Sequence, residues 1–345
     1  MKRKIVAFLI LCCFCFHWVG SFAYSNESKP SSILVYSDPD VELLKIVDFL
    51  SSVEEYSNCQ FLSSVFLYQA KKYFYSWKDH EAVKLYSDIK KQELTPLVYQ
   101  IVLQGEPWNE KFDSVCMTDI QKETMVSFFE ALHSFSKDTH FSQFMVEMKE
   151  PYSQIPDMFL YKNQMQEWID ISETFFGYSF HQVHVLLCPT SLYSVESFLI
   201  FAQDSKQMDL YILTSLSGVQ NGYLQFGSEE TFNALLPTVI PDYSLEYALH
   251  CYGMDLNELT IQTDEYFVSQ ILTALRVSVY GDLYTGVPLP EFFEYCTEKG
   301  DLFVPQVYSV VEREYTSPTE RKGHFITYCP TLYRSILSLY EGENG

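Results

Sequence analysis

The stretch Gly177-Tyr178-Ser179-Phe180-His181-Gln182-Val183-His184-Val185-Leu186-Leu187 divides this 345-residue chain into halves of different character. Apolar and polar residues alternate along it before the run turns wholly apolar at Val185-Leu186-Leu187, the pattern of a strand entering a core. Two further short runs of β-branched and aromatic residues, Phe198 to Ala202 and Leu210 to Leu213, are bounded by polar turns. Together they predict a small antiparallel sheet.

Upstream the period is helical. Ser32 to Tyr36 reads as one short strand, after which Asp38 caps and Pro39 opens a helix with Val41, Leu44, Val47 and Leu50 on one face. Further helices are predicted over Cys59 to Phe74, His80 to Lys90, Thr95 to Gln104, Asp119 to Phe135 and Asn163 to Phe175, with breaks at Gly105 to Pro107 and Pro151 to Pro156. Downstream, Ser228-Glu229-Glu230-Thr231 opens a helical window to about Ile240, Asp264 to Val279 is a long amphipathic helix, and Glu291 to Glu298 and Pro330 to Tyr340 suggest two more. The fold class is α+β, a single domain over 32–345. Residues 32–176 form its helical half, 177–280 hold the sheet and a helix pair, and 281–345 are a C-terminal extension.

Residues 1–23 read as a secretory signal peptide. Lys2, Arg3 and Lys4 precede an apolar run from Ile5 to Trp18, and Ser21-Phe22-Ala23 places small residues at −3 and −1 of a cleavage point after Ala23. The run is shorter than the about twenty apolar residues of a permanent span, so no stable membrane span is expected after cleavage, and residues 24–31 read as a tail. The expected location is secreted or periplasmic. Cleavage leaves 20 basic residues against 45 acidic ones, a net charge of −25, which argues against nucleic acid as a partner. Cys59, Cys116, Cys188, Cys251, Cys296 and Cys329 remain, an even number in a compartment that permits disulfides, yet six cysteines allow fifteen full pairings and no spacing selects one. None of the six stands in a CxxC spacing, which speaks against a structural zinc of the cysteine type or a thioredoxin-like redox site.

The chain holds no glycine-rich phosphate loop, no GxSxG elbow and no intact HExxH helix. It does carry Asp38-Pro39-Asp40-Val41-Glu42-Leu43-Leu44-Lys45-Ile46-Val47 near the mature start, Trp168 leading to Phe175-Phe176-Gly177-Tyr178, and a strand ending at Cys188-Pro189. In these features and in the order of elements over about 33–280 it resembles a group of secreted bacterial zincin-like domains of unknown function. In that group the helix after the sheet reads roughly Val-Ile-His-Glu-aromatic-Ser-His, and the resemblance places Val239-Ile240-Pro241-Asp242-Tyr243-Ser244-Leu245 there. Both histidines are replaced. A catalytic zinc needs two imidazoles four apart on one helical face, a third ligand downstream and a carboxylate base beside the first histidine. Pro241 and Leu245 have no ligating atom, so the resemblance implies a degenerate metal motif, no zinc and no other cofactor. The two prolines, Pro237 and Pro241, are expected either to kink this helix or to delay its start to Pro241.

Asp242, Glu265 and His250 are the remaining candidates for catalysis. Asp242 occupies the place of the base, Glu265 is the nearest acid to a downstream third ligand, and His250 next to Cys251 offers a nucleophile pair only if the two side chains converge, which adjacent residues on a regular element do not. Glu265 also reads as a solvated first-turn acid. His181 and His184, three apart in a strand, point to opposite faces. His80, His133 and His140 read as capping or hydrogen-bonding residues. The expected function is a secreted, non-catalytic, metallopeptidase-like protein that binds a peptide, protein or cell-surface ligand. The alternative is an active extracytoplasmic hydrolase with a non-standard site, in which zinc would return as cofactor. A third reading is an envelope-associated structural protein.

Overall fold

A computed structural model describes residues 32–344 apart from 53–63, 106, 116, 193–194, 202–207, 221–222, 254–255, 257–259, 261–262 and 317–323. Residues 1–23, expected to be a signal peptide, 24–31, expected to be a tail, Cys59, Cys116 and the start of the helix expected from Cys59 lie outside the described residues. Residues 31–345 group as one compact unit.

Strand β1 (Ile33–Tyr36) leads into α1 (Pro39–Ser51), whose N-cap Asp38 accepts the Asp40 and Val41 backbone N–H groups at 2.9 and 3.1 Å, with Pro39 pre-set in the first turn. The helical layer continues through α2 (Val65–Phe74), α3 (Glu81–Lys91), α4 (Thr95–Val102), α5 (Asp119–Asp138), α6 (Phe141–Glu147), α7 (Lys149–Gln154) and α8 (Lys162–Phe176). The capping reading of His80 holds, since the Ala82 N–H donates to its Nδ1 at 3.1 Å at the start of α3. The break expected at Pro151 is helical instead. Pro151 sits in the first turn of α7, where its missing N–H would have had no partner in any case.

Gly177 ends α8 in the left-handed conformation, and the sheet follows. Its strands are β2 (Gln182–Leu192), β3 (Val195–Phe201), β4 (Met208–Gln220) and β5 (Tyr223–Phe226). The class is α+β as expected, but the sheet is mixed and not antiparallel. The strand order is β1-β2-β4-β3 with β5 also on β4; β1 and β4 each run parallel to β2, whereas β3 and β5 run antiparallel to β4. The reason is topological: the helical layer is one long crossover that returns the chain to the end of the sheet where β1 began, so β1 and β2 run parallel, and β3 carries the chain back before β4 enters beside β2, so these two run parallel as well.

Downstream come α9 (Glu229–His250), α10 (Glu265–Tyr280), α11 (Asp282–Thr285), α12 (Leu289–Lys299), α13 (Phe303–Val311), a π turn at Glu312–Thr316, and α14 (Phe325–Asn344). Helix α9 neither starts at Pro241 nor stops at Pro237. Both prolines are buried on one helix, and the Thr238 and Ser244 hydroxyls bond back to the carbonyls of Leu235 and Ile240 at 2.6 and 2.7 Å.

The sheet is the middle layer. One face, bearing His184, Leu186, Cys188, Tyr211 and Glu196, is covered by α1, α2 and α4, as the Lys45–Glu196 ion pair and the Tyr99–Phe198 ring contact show. The other, bearing Ser197, meets α9 through Tyr243, whose hydroxyl donates to the Ser197 carbonyl at 2.7 Å. The abundant aromatics are mainly core: Phe74, Phe128, Phe135, Phe144, Phe176 and Phe232 are among the largest fully buried side chains. Among the described residues no helix is long and apolar enough to cross a membrane.

Candidate functional site

Val239 to Leu245, which the resemblance aligns with a metal motif, lie mid-way along α9. Pro241 and Leu245 are buried and apolar, one helical turn apart. Between them Asp242 meets Arg276 of α10 in a two-pronged ion pair, Nε to Oδ1 at 3.0 Å and Nη2 to Oδ2 at 2.6 Å. Burial pushes the Asp242 carboxyl up from the ordinary carboxylate value, and the hydrogen bond and charge of Arg276 hold it back. Burial likewise opposes the Arg276 charge, but the hydrogen bonds and charges of Asp242 and Tyr284 outweigh it and raise its pKa. Both carboxylate oxygens are thus committed to a guanidinium.

Glu265 and His250 do not join Asp242. Glu265 is exposed in the first turn of α10, eleven residues before Arg276, about 16 Å along the axis. His250 is exposed at the end of α9, eight residues and about 12 Å from Asp242. Of the paired histidines, His184 is buried in β2, where its Nδ1 lies 3.0 Å from the Tyr36 hydroxyl and its ring stacks on Tyr211 at 4.3 Å; burial lowers its pKa. His181 precedes β2, is exposed, and pairs with Asp209 at 2.9 Å. Among the described residues no three His, Cys, Asp or Glu side chains gather as a metal-ligating group.

A second polar cluster, which sequence reasoning did not single out, lies between α1 and the sheet. Glu42 and Lys45 are the buried charged residues of α1. Glu42 Oε2 accepts the hydroxyls of Tyr152 at 2.9 Å and Thr190 at 2.5 Å, while Oε1 is buried with no hydrogen-bond partner. Burial raises its pKa to about 7, against the pull of Thr190, Tyr152 and Lys45; Asp38 adds to the rise. Lys45 Nζ pairs with Glu196 of β3 at 2.7 Å and lies 4.8 Å from the centre of the Tyr99 ring. Burial opposes its charge, yet Glu196 more than offsets this and holds the ammonium well above its ordinary value. Cys188 completes the cluster, its thiol pushed up by burial. The signal was present in the sequence: Glu42 and Lys45 flank Leu43-Leu44 inside the apolar face of α1, where a solvated charge does not belong. Perturbed acids mark sites of chemistry only where a reactant can reach them, and Glu42 has no exposed surface. The cluster is a buried latch between helical layer and sheet.

A cavity of about 30 Å³ opens between α9, α10, α13 and α14, lined by apolar groups that include Leu249, Leu275, Val311, Phe325 and Cys329. It carries no convergent polar groups of the kind a substrate site needs. In the helical layer, α2 buries Phe66, Leu67, Ala70 and Phe74 and exposes Val65 and Tyr68, and Tyr75, exposed as well, follows its last residue. Lys71 and Lys78 lie 5.9 and 5.2 Å from the centre of the Tyr75 ring.

No protein-family model, curated protein or solved structure matches the chain. The zincin-like resemblance rests on the residues quoted for it.

Proposed function

We propose that this chain works outside the cytoplasm as a non-catalytic, metallopeptidase-like protein that needs no metal or other cofactor and binds a peptide or another protein. The Asp242–Arg276 pair carries this reading. A base in a hydrolase takes a proton from a water held against it, and a guanidinium across both oxygens occupies the edge of the carboxylate that such a water would face. Both Asp242 oxygens are engaged, and the neighbouring positions where a zincin holds its metal are Pro241 and Leu245. This helix pair braces the fold. The exposed rings of Tyr68 in α2 and of Tyr75 just after it are of the kind that protein interfaces favour. Lys2, Arg3 and Lys4 before the apolar run that ends at Trp18 support export, and the strongly acidic chain supports a partner other than nucleic acid.

The test has two arms. Zinc equilibration, desalting and elemental mass spectrometry should find less than about a tenth of an equivalent, and a quenched peptide library should stay uncut. One tight equivalent of zinc, or cleavage that Asp242→Asn abolishes, would overturn the non-catalytic reading. Panning a displayed random peptide library should enrich binders that the Tyr68→Ser, Tyr75→Ser double variant no longer holds; a library that never enriches sinks the binding reading.

A further inference from the structure

The end of α9 and the start of α14 are tied by a side chain. The Tyr252 hydroxyl donates to the Ile326 carbonyl at 2.8 Å, across 74 residues of sequence. Cys251 immediately precedes Tyr252, and Cys329 lies three residues beyond Ile326, one helical turn along α14. Cys329 is 3% exposed and shares the apolar wall with Leu245 and Leu249 of α9, whereas Cys251 is open to solvent. Each thiol stands within electrostatic reach of the same tyrosine and of the other: burial first and the charge of Cys251 second push the Cys329 thiol up to about 12. The other described cysteines sit elsewhere, Cys188 in β2 beneath α1 and Cys296 in α12.

We propose that Cys251 and Cys329 are a disulfide-forming pair that fastens the C-terminal helix α14 to the end of α9. Its use in the cell rests on the extracytoplasmic reading given above. The accessible member reacts first. The Cys251 thiolate attacks one sulfur of an oxidised dithiol donor, the donor S–S bond breaks, and one donor thiolate leaves as the mixed disulfide forms. The Cys329 thiolate then attacks Cys251 Sγ, the mixed bond breaks and the second donor thiolate leaves. The pair loses two electrons, the donor gains two, and the two protons of Cys251 and Cys329 end on the donor thiols. Once made, the link holds the Phe325 to Tyr333 wall of the apolar cavity against α9.

The experiment equilibrates the purified full chain in a glutathione buffer poised near −180 mV, alkylates remaining thiols, and maps non-reduced tryptic peptides by mass spectrometry. The expected product joins the Cys251 peptide to the peptide ending at Arg334, and the Cys251→Ser variant leaves Cys329 alkylated once the chain is unfolded. The proposal is overturned if both thiols remain free in this buffer, or if Cys251 or Cys329 is found linked to a different cysteine. Localisation is read separately. A pair that closes in the buffer while both thiols are reduced in protein quenched directly from cells would leave the pairing standing and overturn the extracytoplasmic reading.

Discussion

Replacing Glu42 by glutamine isolates the carboxyl buried between α1 and the sheet. Its pKa is about 7 in the folded chain against an ordinary value of 4.5. Between those two pH values the folded chain keeps a proton that the unfolded chain has released. Stability therefore falls as pH rises from about 4.5 to about 7 and is level beyond, and this one group accounts for about 3 kcal/mol of the fall. Glutamine keeps an oxygen to accept the Tyr152 and Thr190 hydroxyls and has no proton to lose. The Glu42→Gln chain should match its parent to within about 1 kcal/mol near pH 5 and exceed it by about 3 kcal/mol near pH 8. Repulsion among the 45 acidic residues also grows with pH, but equally in both chains, so the readout is the difference between them. Urea unfolding followed by tryptophan fluorescence, at half-unit steps from about pH 5 to about pH 8, gives midpoints and slopes for both. Two parallel pH profiles would refute the reasoning, because they would mean that Glu42 titrates alike in folded and unfolded chains.

The Lys45–Glu196 pair is buried on one side only, so its two halves should respond unequally. Glu196→Gln strands a buried ammonium and is expected to cost about 3–5 kcal/mol, whereas Lys45→Met leaves a carboxylate that is 32% exposed and should cost clearly less; equal losses in urea unfolding would contradict the burial asymmetry. Asp242→Asn removes the charge that Arg276 faces across the α9–α10 contact and is expected to lower stability by about 1–3 kcal/mol without changing zinc content, and an unchanged urea midpoint would show that the pair braces nothing. Gly227 has φ near +70°, and an added Cβ would lie 2.6 Å from Phe232 Cε2, so Gly227→Ala should cost at least about 2 kcal/mol; a thermal midpoint within a degree of the parent would disprove the close approach.

Local rules were readable from residue order wherever one element decided its own shape. Asp38-Pro39 placed the start of α1 correctly, and the period-two run after Gly177 marked the switch to sheet. What escaped was set by partners far away in sequence. Strand direction depends on which end of the sheet the crossover re-enters, and no local pattern encodes that. Leu210 to Leu213 extended into a strand from Met208 to Gln220, because Thr214 and Ser215 look like turn residues in sequence yet are buried once β2 and β3 flank them. Helix α13 was missed although Val304, Val307, Val310 and Val311 follow helical spacing, since valine runs weigh toward strand. Between Pro241 and Leu245 the sequence told which ligating atoms were absent but not that Arg276, 34 residues on, would take up Asp242. Glu42 was legible as a charge beside Leu43-Leu44 on the apolar face of α1, but the Tyr152 and Thr190 hydroxyls that hold it come from 110 and 148 residues on and were not.

Strand β1 meets β2 through residues 148 positions apart, as the Tyr36–His184 contact measures. A chain emerging N-terminus first at about 5–20 residues per second exposes Ile33-Leu34-Val35-Tyr36 for roughly seven to thirty seconds before the segment that receives it exists. During that wait the helices can form from neighbouring residues, while an apolar strand with an open edge stands ready to pair with any other chain. The first strand made is thus among the last to be satisfied, and until then it needs a chaperone or dilution to keep it from aggregating.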